Sequence, residues 1–147
     1  MREPTFTPTV AMLQFAATSK KKPTMQFKSK DGFRIRLVFN RDTNITKVLM
    51  DKVYIGSLHS DGTLHLGKIG SIWPDWRING KNFLFSLLRD PVQAAKTHAA
   101  LTGECTFCGA ELTDERSKEV GYGPVCAENW NLPWGDFQPV DLDTLFN

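Results

Sequence analysis

Cys105, Cys108 and Cys126 are the whole cysteine complement of this 147-residue chain, and all three lie in the run GECTFCGAELTDERSKEVGYGPVCAENW. A C-x2-C pair presents two thiolates from one tight turn, and a third cysteine returning after a short excursion can close most of a tetrahedron around Zn²⁺. Gly109 suits a knuckle whose backbone amides point at sulfur. Pro124 suits the first turn of a helix, which would place Cys126 near the positive end of a helix dipole. Knuckle plus helix start is the plan of a treble clef or zinc ribbon. In that plan the metal is structural, and its binding free energy becomes folding free energy for a segment too rich in glycine and charge to build a large core.

The cysteines leave one tetrahedral position unfilled. No cysteine or histidine follows Cys126, and position 129 is Asn. The fourth ligand must therefore come from upstream, from a carboxylate or from solvent. His98 leads, because it sits near the end of a helix that delivers the chain into the knuckle; Asp114 and Glu128 are fallbacks. His59 and His65 flank a hairpin turn far from any cysteine and read as ordinary strand residues.

An odd number of cysteines, and an N-terminus (MREPTFTPTV) that does not read as a secretory signal, point to a reducing compartment, the cytoplasm. No apolar run approaches the roughly 18 residues of a membrane span. Charge is unevenly placed. Residues 1–52 carry eleven Lys or Arg and four Asp or Glu, a net charge of +7, whereas residues 53–147 carry seven and twelve, a net charge of −5. A basic first third calls for an acidic partner, nucleic acid being the commonest kind.

The pattern divides the chain into an N-terminal arm (1–22), an antiparallel sheet (23–70), a tryptophan loop with a helical pair (71–103), a zinc module (104–135) and an acidic tail (136–147). The class is α+β. In the arm, VAMLQFAA predicts a short helix capped by Thr9, and Lys20, Lys21 and Lys22 form a basic linker that Pro23 terminates. Phe33, Ile35, Leu37 and Phe39 alternate with Arg34, Arg36 and Val38, a strand with one buried and one basic face. Met25 and Phe27 read as the strand before it, residues 46–50 as a weaker one after it, and VYIGSLH with TLHLG as a hairpin turning at Ser60, Asp61 and Gly62. Arg34 and Arg36 then face outward with Lys28 and Lys47 nearby. Trp73 and Trp76 occupy a loop, where they pack a junction or serve as a contact surface. NFLFSLLRD predicts a nearly all-buried helix. Asp90, Pro91 and Gln93 predict a reciprocal cap on a further helix that stops at Gly103.

Residues 98–135 resemble a zinc-finger-like domain of unknown function widespread in tailed bacteriophages and their hosts. The likeness rests on Cys105 and Cys108, then Leu112 to Ser117 (L-T-D-x-x-S), then Gly121 to Cys126 (G-x-G-P-x-C), with Leu132, Pro133, Trp134 and Gly135 as a closing motif. It covers the last third of the chain and implies a phage-encoded zinc protein acting in the host cytoplasm. His98 falls where some members carry histidine.

No catalytic pattern accompanies the cysteines. H-E-x-x-H is absent, as is H-x-E paired with P-C-x-x-C, and residues 109–125 contain no histidine of the kind a treble-clef nuclease needs. A non-enzymatic role follows. The leading expectation is docking on a host or phage protein complex through the tryptophan loop and the helical face, because the zinc module is net negative where a DNA-binding finger would be positive; the tail, alternating Asp with apolar residues, suits a docking peptide or a segment wrapping its own domain. The alternative is DNA or RNA binding, with Lys20, Lys21, Lys22, Lys28, Arg34, Arg36 and Lys47 on phosphates and Trp73 or Trp76 on a base. Neither reading calls for a membrane or a small-molecule substrate.

Overall fold

The computed structural model describes residues 5–67 and 79–134. Trp73, Trp76 and the acidic tail lie outside them. The α+β expectation holds: a helix α1 (Thr7–Ala16) precedes five strands, β1 (Thr24–Lys28), β2 (Arg34–Asn40), β3 (Ile45–Met50), β4 (Val53–Leu58) and β5 (Leu64–Leu66). Four helices follow, α2 (Lys81–Arg89), α3 (Pro91–Thr102), α4 (Glu115–Val120) and α5 (Pro124–Trp130). The strands form one antiparallel meander in sequence order.

Period-two patterning decides the two faces of the sheet. Met25, Phe27, Ile35, Leu37, Phe39, Val48 and Met50 are buried in one cluster that also takes in Leu13 and Ala16 of α1 and Leu84, Leu87 and Leu88 of α2. The opposite face carries Gln26, Lys28, Arg34, Arg36 and Lys47. The third helix packs beside the edge strand β1, α4 packs on α3, and α5 packs on α1.

Three local readings change. Thr9 is not the cap of α1; the helix starts at Thr7 with Phe6 at the capping position, and Thr9 is buried one turn in. Its hydroxyl donates to the Leu88 carbonyl at 2.6 Å, stitching α1 to the end of α2. The second helix is amphipathic rather than nearly all buried, with Leu84, Leu87 and Leu88 inside and Phe83 and Phe85 only partly covered. The cap of α3 is one-sided. Asp90 accepts from the Gln93 amide at 3.1 Å, but its own amide donates to Ser86 at the end of α2 instead of meeting the Gln93 side chain. Asp90 thus ends one helix and begins the next. Asp90→Ala is expected to lower stability by about 1 kcal/mol, read as a small drop in thermal midpoint.

The meander departs from regularity at β4. The register shifts between Val48 and Leu49, so that Val48 faces Gly56 while Leu49 faces Tyr54, leaving Ile55 as a bulged residue. The bulge buries Ile55 and turns Tyr54 outward, 56% exposed. The β3–β4 turn is made by Asp51 and Lys52, both at positive φ (49° and 74°), as a tight two-residue hairpin demands.

Candidate metal centre and cationic sheet face

The C-terminal module is assembled by short-range devices. After α3 stops at Gly103, Glu104 bridges to Glu111, and the Cys105 amide donates to Ala110, closing the knuckle hairpin. Asp114 accepts from the Arg116 amide at 2.8 Å and caps α4, so this candidate ligand is occupied as a helix cap. Ser117 is buried and accepts from the Trp134 indole at 3.2 Å, while the Arg116 guanidinium lies over the same indole. Leu112 is buried. The residues of the L-T-D-x-x-S stretch therefore supply a core side chain, a cap and an anchor for the closing tryptophan.

Behind the knuckle lies a compact aromatic core. Phe107 stacks on Trp130 at 4.4 Å between ring centres and meets Tyr122 at 5.8 Å. The Tyr122 hydroxyl donates to the Pro133 carbonyl, and burial pushes its pKa up to about 12. The module thus has more apolar content than glycine and charge alone imply.

On this base Cys105, Cys108 and Cys126 converge, with all three sulfurs within 4.8 Å of one another. Zinc–sulfur bonds of about 2.3 Å in a tetrahedron separate sulfurs by roughly 3.8 Å, so the thiols need only a small contraction to hold a metal. Cys105 and Cys126 are buried and Cys108 is exposed. The Phe107 amide donates to the Cys105 sulfur at 3.4 Å, as a zinc knuckle requires.

The electrostatics of the triad ask for a cation. A hydrogen bond from the Cys126 thiol, then the amides of Cys108, Phe107 and Gly123, bring Cys105 down to about 5, against the opposing effect of burial. Cys126 is pushed above its ordinary range by its hydrogen bond to Cys105, by burial and by the negative charge of its neighbours. The cluster accommodates one thiolate and resists a second. A bound divalent cation removes that resistance, so the donor set fits a soft or borderline metal held by three thiolates.

Among the described residues, no histidine or carboxylate joins the three sulfurs. Glu128 is exposed on α5. His59 and His65 sit edge to face at 4.5 Å on the β4–β5 hairpin, with Ser57 hydrogen-bonded to His59, remote from the cysteines as expected. His98, the expected fourth ligand, is 4% exposed and lies outside the sulfur group. It lines a cavity of about 360 Å³ against the sheet, together with Gln26, Lys28, Arg34, Arg36, Leu49, Asp51 and Lys52. Among the described residues, neither of its ring nitrogens has a hydrogen-bond partner. Burial holds its pKa below the ordinary value.

The basic residues of the sheet do gather. Lys28 pairs with Arg34 and Gln26 with Arg36 across β1 and β2, while Arg36 pairs with Leu49 and Val38 with Lys47 across β2 and β3. Directly opposed residues share a face, so Lys28, Arg34, Arg36 and Lys47 form one cationic field. Among the described residues none of the four makes an ion pair. Tyr54, opposite Leu49, belongs to the same face. The Lys20–Lys22 linker is elsewhere: Lys21 pairs with Asp42 at 3.5 Å near the β2–β3 turn, at the end of β2 away from Arg34. Metal module and sheet are joined directly, since the Gln26 amide of β1 donates to the Thr106 carbonyl of the knuckle at 2.8 Å.

Sequence reasoning missed Tyr54, Lys52 and Gln26. The first two depend on the bulge and on a glycine-free turn. The third was legible from its alternation with Met25 and Phe27.

Residues 95–131 match a family described as of unknown function (DUF6011), a match that coincides with the cysteine-bearing stretch and the helix leading into it. No curated protein and no solved structure matches the chain. No described helix is long and apolar enough to cross a membrane.

Proposed function

We propose that this chain is a non-enzymatic, phage-encoded zinc protein of the host cytoplasm that binds nucleic acid through the outer face of its sheet. The observation that carries this reading is the convergence of Lys28, Arg34, Arg36 and Lys47 on one sheet face without ion pairs among the described residues. Unpaired cations spaced across adjacent strands, about 4.8 Å apart, suit the repeating charges of a phosphate backbone. Tyr54 adds an exposed aromatic on which a base can stack. The metal has a supporting role. Three thiolates favour Zn²⁺, with the remaining position filled by a donor outside the sulfur group, and the knuckle covers and pairs with the edge strand that carries Lys28.

This ordering reverses the one drawn from sequence. Docking on a host or phage protein complex drew its weight from the net negative charge of the zinc module, and its contact surface included Trp73 and Trp76, outside the described residues, whereas the cationic face is fully described. The net negative charge of the zinc module fits either reading, because in this one the module does not touch phosphate.

The test is anisotropy of a labelled single-stranded oligonucleotide across a salt series. Affinity is expected to fall steeply between about 50 and 200 mM salt, and the paired reversal of Arg34→Glu and Arg36→Glu to weaken binding by about 100-fold and flatten the salt slope. Binding that ignores both salt and the reversal, or a discrete protein partner that survives nuclease and high salt, would replace this reading with docking.

A further inference from the structure

The cationic face is not uniform. At the end where β1 and β2 begin their turn, it is closed on one side by α3, and the resulting cavity of about 360 Å³ is the size of a small-ligand site. Lys28, Arg34, Arg36 and Lys52 line it against a single carboxylate, Asp51. Among the described residues none of these cations is in an ion pair. The wall contributed by α3 is His98, which is only 4% exposed and, among the described residues, has no hydrogen-bond partner at either ring nitrogen. Both nitrogens are also shut off from solvent, so the ring serves here as a packed wall of the cavity. Lys52 is brought there by the tight β3–β4 turn it shares with Asp51.

We propose that this cavity takes a terminal phosphate with its attached nucleoside: four cations face a phosphomonoester, and His98 closes the α3 side as a wall. This deepens the nucleic-acid reading and rests on it for the macromolecular source of the ligand. The excess of positive charge distinguishes the two kinds of phosphate. An internal phosphodiester carries one negative charge, whereas a terminal phosphate carries nearly two and three free oxygens, so it makes better use of a convergent cluster. Lys47 is on the same sheet face but outside the cavity. It serves strand binding without serving the end.

The same chemistry has two sources, the phosphorylated end of a strand and a free mononucleotide. Three oligonucleotides of one sequence, bearing a 5′-phosphate, a 3′-phosphate or neither, are compared by anisotropy at fixed salt, with adenosine monophosphate as competitor and as direct ligand by calorimetry. One phosphorylated strand is expected to bind at least about tenfold tighter than the unphosphorylated one, the equivalent of one charge-assisted hydrogen bond. Lys52→Ala and Arg34→Ala, both at exposed positions, are expected to erase that preference, while Lys47→Ala weakens all three strands alike. His98→Gln, which alters only the α3 wall, is expected to retain a full equivalent of metal.

The outcomes separate cleanly. Equal binding of all three strands with no nucleotide binding overturns the cavity and leaves the sheet reading standing. Nucleotide binding that Lys52→Ala abolishes, with no strand binding, upholds the cavity and removes the sheet reading. If nothing binds, both fall. Loss of metal in His98→Gln would assign the imidazole to the metal centre and overturn its place in the cavity.

Discussion

Cys108→Ser and Cys126→Ser are both expected to lose stoichiometric zinc and, with it, the cooperative melting of residues 104–134. The pair matters because the two positions differ in packing. Cys126 is buried, so serine there also puts a more polar group into the core, whereas Cys108 is exposed and its substitution removes little besides a ligand. If the metal holds the module, the two variants fail to a similar extent; if packing does, Cys108→Ser is nearly silent. Structural zinc sites supply on the order of 10 kcal/mol of apparent folding free energy. Damage should reach the sheet, because the Gln26 amide of β1 loses its partner at Thr106. Metal content by atomic emission, together with the thermal transition followed by tryptophan fluorescence, checks this. A metal-free variant of unchanged stability would defeat it.

Acid should act on the same centre. Cys105 is depressed from 9.0 to about 5, so its thiolate stabilises the fold fully above the unfolded value, and that contribution declines as pH falls, disappearing through about 5. The raised Cys126 adds nothing below pH 9, since it is protonated in both folded and unfolded metal-free chains there. The metal-free protein is thus expected to lose stability steadily between pH 9 and pH 5. In the metal-loaded protein, protons and zinc compete for the same sulfurs, so acid is expected to release the metal.

The strands were readable because their faces differ so sharply. Arg34 and Arg36 between Ile35 and Leu37 leave a single way to place β2, and the pairing of β1 and β3 follows from it. The cysteine spacing carried the metal triad for a similar reason, as thiols at that separation on a knuckle and a helix start have one compact arrangement. What escaped depends on contacts between segments distant in sequence. Thr9 looks like a helix cap until Leu88, 79 residues on, offers a carbonyl. The outward turn of Tyr54 depends on a one-residue bulge, which leaves no mark in a strand whose sequence, VYIGSL, already lacks alternation. The Asp51–Lys52 turn lacks the glycine that marks such hairpins. His98 illustrates the limit best. Its distance along the chain from Cys105 suits a ligand, but the rotation of α3 about its own axis sends the ring to the sheet, and sequence spacing does not fix that angle.

Gly121→Ala is expected to destabilise the protein by more than about 3 kcal/mol, whereas Gly123→Ala, two residues away in the same G-x-G-P motif, should be neutral or slightly stabilising. Gly121 ends α4 at φ 95°, a conformation costing a side-chain-bearing residue about 1 kcal/mol or more. Space is the larger problem. A Cβ there would collide with the Ala95 carbonyl oxygen and lie 2.9 Å from the Lys96 amide, both backbone atoms of α3. The helix cannot retreat cheaply, because Ala95 is fully buried and α3 is held at its start by the Asp90 cap. Gly121 also accepts from the Thr106 amide in the knuckle, so a shift at this point disturbs the residue between Cys105 and Phe107. Gly123 has φ −86°, and a methyl group added there would meet nothing within 4 Å; its amide, which alanine retains, is what supports the Cys105 thiolate. Denaturant midpoints of the two variants, with zinc content measured alongside, test the distinction. Equal tolerance at both positions would mean that α3 is not pressed against the metal module, and the wall that presents His98 to the sheet would then lose its support.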